Sequence, residues 1–130
     1  MGLELISVIV RDYDEAIEFF VEVLGCVLED DSPSLDGDGQ PKRWVVVRPP
    51  GPGCGILLAQ ARGEEQEALV GNQFGGRVGL FLRVDDFDAT YAHMNEHGVE
   101  FVTAARTEPY GKVVVFQDLY GNKWDLLGPG

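Results

Sequence analysis

The sequence repeats itself. Val10-Arg11-Asp12-Tyr13-Asp14 returns as Val84-Asp85-Asp86-Phe87-Asp88, and each copy sits between an apolar run and a segment of helical periodicity. A chain that carries the same strand-to-helix signal twice is constrained to fold as two like modules, because each signal specifies the same local junction. The apolar runs, Leu3–Val10 and Val78–Val84, predict strands. Asp12 or Asp14, and Asp86 or Asp88, supply side-chain acceptors for the free amides at the helix starts. Each helix is predicted to stop at a glycine, Gly25 and Gly98, where a left-handed backbone is cheap.

Ile17, Phe20, Val21 and Leu24 share one face of the first helix, and Phe87, Tyr91 and Met94 share one face of the second. Short strands follow at Cys26–Glu29 and Val99–Val102. Trp44–Val47 with Ile56–Gln60, and Val113–Gln117 with Lys123–Leu127, close the two halves through turn-forming Pro, Gly and Asn. The prediction is an α+β fold of two tandem βαβββ modules with mixed sheets, residues 1–62 and 76–128, joined by 63–75 with a short helix at Glu64–Val70. Glu29–Arg43 reads as a flexible acidic surface loop, and Trp44 and Trp124 as core.

Charge narrows the partners. Lys and Arg total 10 against 22 Asp and Glu, a formal net charge of −12. A surface that negative repels phosphate backbones and anionic lipid heads, so neither nucleic acid nor a membrane is expected as partner. No apolar run approaches the roughly 18 residues of a bilayer span. The opening MGLELISVIV has no basic lead-in and carries Glu4, so it does not read as a signal peptide. With two cysteines, Cys26 and Cys54, and no CxxC spacing, a reduced cytoplasmic protein is the expectation.

Three runs together, VIVRDYDEAIEFFVEVLG, LFLRVDDFDATYAHMNEHGVEF and FQDLYGNKWDLL, resemble the vicinal oxygen chelate superfamily of glyoxalase I, bleomycin-resistance proteins and extradiol dioxygenases. The resemblance spans nearly the whole chain and implies that the two sheets form a concave cleft. It also implies four metal-ligand positions, two per half, which metal-dependent members fill with His, Gln or Glu. Here they fall at Leu5, at Ile56 or Leu57, at Gly79 and at Asp125. Aliphatic side chains and glycine offer no lone pairs, so neither a metal centre nor any other cofactor is expected.

Strand alternation adds neighbours to those positions: Ser7 beside Leu5, and Arg77, Phe81 and Arg83 beside Gly79. The family's sheet order sets Asp125 beside the strand that begins the second half, within reach of Arg77 or Arg83. That set is either a recognition surface for a polar or anionic small molecule, with Tyr110 as a lid, or an ion pair that neutralises a half-buried acid. Asp125 is the one candidate for a catalytic base.

His93-Met94-Asn95-Glu96-His97 matches the HxxEH pattern, but both imidazoles fall on the helix flank, no third ligand is indicated, and Gly98 ends the helix at once. Asp36-Gly37-Asp38-Gly39 begins like a calcium loop and lacks the acidic residue at its end. The implied function is binding of a small oxygenated molecule, as bleomycin-resistance members do; the alternative is a lyase or dioxygenase of the lactoylglutathione lyase type with a degenerate metal site. Phe19 and Val23 form a stripe off the main helix face, which points to a homodimer.

Overall fold

A computed structural model describes residues 1–130. The chain divides into two compact units, Met1–Leu69 and Val70–Gly130. Each is built from one mixed sheet and one main helix.

In the first unit β1 (Leu5–Val10) leads to α1 (Tyr13–Glu18), which continues as a π-helical turn, Phe19–Val23. Then come β2 (Val27–Leu35), β3 (Pro41–Arg48), β4 (Gly55–Gln60) and the short α2 (Gly63–Glu67). The sheet order is β1-β4-β3-β2, with β1 parallel to β4 and the remaining pairs antiparallel. Asp12 caps α1, its carboxylate accepting from the Glu15 amide at 2.9 Å. Alternation along β1 buries Val8 and Val10, while Ser7 stays exposed and Leu5 and Ile9 are half-buried. Val45, Val47, Ile56 and Leu58 join Val8 and Val10, and Tyr13, Ala16, Phe20 and Leu24 from the helix close the core. The helix therefore presents Tyr13 and Ala16 to the core rather than Ile17 and Val21, which are half-buried.

Glu29–Arg43 is not a flexible loop. β2 pairs with β3 from Val27↔Arg48 to Leu35↔Pro41, with a bulge between Leu28 and Asp30. Its hairpin turn is tied by Asp36, whose carboxylate accepts from the amides of Asp38 and Gln40, each at 2.9 Å. Arg43 fastens the hairpin to α1: its guanidinium reaches Asp14 and Asp31 at 2.8 Å each and lies 5.0 Å from the Tyr13 ring centre. The Arg43 hydrogen bond holds the Asp31 carboxyl below its usual range. Backbone pairing and side-chain ties of this kind order a segment that has almost no apolar pattern to reveal it.

In the second unit β5 (Val78–Arg83) leads to α3 (Phe87–Glu96), followed by β6 (Glu100–Phe101), β7 (Arg106–Glu108), β8 (Gly111–Gln117) and β9 (Lys123–Gly128). The order is β5-β9-β8-β6, with β7 also paired to β8. Asp86 caps α3 through the Ala89 amide at 3.0 Å. Gly25 and Gly98 follow the helices at φ of 76° and 75°, the left-handed conformation that stops each one. Phe87, Tyr91 and Phe101 stack in series, with ring centres 6.0 and 4.5 Å apart.

The turn from β8 to β9 is organised by Asp118. One carboxylate oxygen accepts from the amides of Tyr120, Gly121 and Asn122 at 3.0–3.1 Å, and the other from the Trp124 indole N–H at 3.0 Å. Asp118 and Asn122 are the two buried polar residues, and Trp124, also buried, stacks on Phe116. Asp118→Ala leaves those donors without their acceptor, and we expect a loss of about 2–4 kcal/mol from several buried hydrogen bonds broken at once. Urea denaturation of variant and wild type checks it, with Trp124 fluorescence as the probe.

Candidate functional site

Each sheet carries its helix on one face, and the other face holds the candidate residues.

On the helix-free face of the first sheet, β1 contributes Leu5, Ser7 and Ile9. The parallel register sets Ser7 beside Leu57 and Ile9 beside Ala59. Val46 pairs with Leu57, so the even-numbered residues of β3, including Lys42 and Trp44, share this face. Ile56 turns the other way and is buried, so of the two it is Leu57 that shares the face of Ser7. Trp44 is 39% exposed, not core. Its neighbours Val45 and Val47 take the core positions, and alternation then leaves Trp44 facing outward. A cavity of about 200 Å³ opens beside it, lined by Lys42, Leu57, Ala59, Arg62 and Gln66 among others. Arg62 is held at its rim by Asp36 at 2.8 Å. The cavity is smaller than a typical whole-ligand pocket and suits one ring or polar arm of a ligand. The Trp44 and Tyr13 rings, the aliphatic Leu57, Leu58 and Ala59, and three cations, of which Arg43 and Arg62 are already paired with carboxylates, give it chemistry for an aromatic group bearing oxygens.

On the helix-free face of the second sheet, Phe81 and Asp125 are register partners, as are Arg83 and Leu127, and Val115 flanks Asp125 from β8. Phe81 is 64% exposed, an apolar ring left in solvent. Arg77 precedes β5, and a register shift between Val78 and Leu80 breaks the alternation that grouped it with Gly79. Neither Arg77 nor Arg83 forms an ion pair with Asp125. The guanidinium whose field reaches Asp125 is that of Arg106 on β7. Arg106 is held by Glu108 at 2.7 Å and interacts with Tyr110, so the expected lid residue belongs to an Arg106–Glu108–Tyr110 group. Sequence reading missed Arg106 because β7 spans only Arg-Thr-Glu and carries no alternating apolar signal.

Partial burial pushes the Asp125 carboxyl above its ordinary value, and Arg106 opposes the shift. An acid whose folded value is raised binds more protons folded than unfolded, so stability falls as pH rises from the unfolded value of 3.8 through the folded one. Asp125→Asn is therefore expected to melt above wild type at pH 7, with the difference closing below pH 3.8. Melting curves across that range check it.

Gly79 has a specific reason to lack a side chain. A Cβ there would lie 2.1 Å from the Phe74 ring, so that ring covers the strand at this position. Gly79→Ala is expected to cost about 1–3 kcal/mol through overpacking. In the Phe74→Ala background the same change costs much less, which a double-mutant cycle of unfolding free energies measures. Phe74 lies in a Gly-rich turn with no periodicity, and nothing in the sequence singled it out.

The family model of the Glyoxalase/Bleomycin resistance protein/Dioxygenase superfamily matches residues 2–126. The chain belongs to that superfamily. An uncharacterized protein of Shewanella frigidimarina (strain NCIMB 400) is 50% identical over 123 residues, covering 94% of this chain and 89% of that protein. The crystal structure of TnmS3, an antibiotic binding protein from Streptomyces sp. CB03234, is 31% identical with a TM-score of 0.77, covering 100% of this chain and 97% of the other. A glyoxalase/bleomycin resistance protein from the same Streptomyces is likewise 31% identical, with a TM-score of 0.74, covering 97% of this chain and 99% of the other.

The superfamily's metal does not fit the residues present. Leu5 and Leu57 offer no lone pair, and at Gly79 the Phe74 ring lies where a ligand's Cβ would begin. Asp125 alone has a donor, and no three His, Cys, Asp or Glu side chains cluster to hold an ion.

Proposed function

We propose that this protein binds a small oxygenated, ring-bearing molecule without a metal centre, as a sequestering protein of the glyoxalase/bleomycin-resistance type. The observation that carries the reading is the chemistry of the helix-free faces. Leu5, Leu57 and Gly79, read as the family's ligand positions, carry no metal-binding atom, while an exposed aromatic ring lies on the same helix-free face of each unit, Trp44 in the first and Phe81 in the second. Rings of this kind recognise flat ligands by stacking, and Lys42, Arg62, Arg83 and Arg106 supply charge for carbonyl, phenolate or carboxylate oxygens. Likeness to an antibiotic binding protein over the full length supports the same class of ligand.

Under this reading the helix-free face of each unit is a recognition surface in its own right: Leu5 and Ser7 on the first, and Phe81, Arg83, Tyr110 and Asp125 on the second, with Arg77 more peripheral. Gly79 contributes by admitting the Phe74 ring. Asp125 serves as an acceptor for a ligand hydroxyl rather than as a base, since no nucleophile accompanies it. The protein works in the cytoplasm as a homodimer.

The two tryptophans make the reading testable, because Trp44 is accessible and Trp124 is buried. Titration with a panel of ring-bearing, oxygenated antibiotics is expected to quench Trp44 and raise the melting temperature for at least one member. Affinity should be unchanged by EDTA and about tenfold weaker in Trp44→Ala, the order expected for one lost aromatic contact. Turnover of a hemithioacetal or a catechol that requires added divalent metal and is abolished in Asp125→Ala overturns this reading.

A further inference from the structure

The sequence pattern His93-x-x-Glu96-His97 has no part in the binding reading, and the structure gives it a different meaning from a protease motif. His93 lies in the last turn of α3 and His97 is its C-cap, four residues on and one turn along the same side of the helix. Both are exposed. Their ring centres are 4.2 Å apart, with planes inclined by 37°. His97 Nδ1 is 2.8 Å from the His93 carbonyl oxygen. A carbonyl only accepts, so Nδ1–H is the donor, which leaves Nε2 as the nitrogen of His97 that can take a metal ion. This backbone anchor is the kind that fixes tautomer and orientation in metal-ligating histidines.

We propose that His93 and His97 form a bidentate, surface-exposed site for a tetragonal transition-metal ion, Cu2+ before Ni2+. Ring centres 4.2 Å apart are near enough for a nitrogen of each ring to reach one ion through bonds of about 2.0–2.1 Å, and imidazole donors hold Cu2+ more tightly than Ni2+. Two fields favour a cation there. The C-terminal end of a ten-residue helix carries partial negative charge, and the chain as a whole carries −12. Two protein donors leave the remaining coordination positions to water, so the ion is exchangeable. Catalysis by the HxxEH pattern is no part of the proposal.

The site differs from the superfamily's metal position and is independent of the ligand-binding reading, so the two succeed or fail separately. The test is titration of the full chain with CuCl2, followed by electron paramagnetic resonance and calorimetry, alongside His93→Ala, His97→Ala and Asp125→Asn. Circular dichroism confirms that each variant is folded. One Cu2+ per chain with two-nitrogen superhyperfine structure is expected. Either histidine variant should weaken binding at least tenfold and remove the two-nitrogen signal, while Asp125→Asn leaves both unchanged. A two-nitrogen signal that persists in either histidine variant overturns the proposal, as does the absence of that signal from wild type. Loss of the ion in Asp125→Asn, with the histidine variants unaffected, overturns it too and revives a metal at the superfamily position.

Discussion

The acceptance of four N–H groups by the Asp118 carboxylate is the interaction on which the second unit depends. It fixes the turn from β8 to β9, and the turn fixes the register of that pair. Because side chains alternate along a strand, a slip of one residue would turn Trp124 out of the core and Asp125 into it. Register here thus decides two things together: an indole buried against Phe116, and a carboxylate left on the helix-free face beside Phe81. The motif that most resembles a functional signature, FQDLYGNKWDLL, owes much of its content to this structural requirement.

In the first unit the corresponding anchor is Arg43. A single guanidinium satisfies two carboxylates and covers an aromatic face, so helix, hairpin and sheet edge meet at one side chain. Exposed ion pairs contribute little one at a time, and this one matters through geometry more than energy. It holds the β2–β3 hairpin, which carries Lys42 and Trp44 to the rim of the cavity. Cys26 lies buried beneath the same unit, its thiol pushed up to about 12 by burial, and behaves as a small apolar residue.

The fold was legible because the repeat, the capping aspartates Asp12 and Asp86 and the stopping glycines Gly25 and Gly98 are local signals that state their own geometry. Alternation on β1 and β9 was equally readable: Leu5 and Ser7, and Asp125 with its buried neighbour Trp124, lie on the faces their spacing implies. What was hidden has physical causes. The β2 strand is polar and held by backbone pairing, so no hydrophobic period marks it. Arg106 stands on a strand too short to show a period, and Arg77 was grouped with Gly79 by an alternation that a bulge interrupts. Trp44 was legible and misassigned: Val45 and Val47 already claimed the core positions on either side of it.

Phe74 lying over Gly79 has a consequence for how such a protein could change. A histidine introduced at position 79 would collide with a ring, and removing the ring alone would leave bare backbone with no ligand to gain. Neither step is useful without the other. At this position, then, gaining a side chain takes two coupled substitutions where a sequence comparison would show only one.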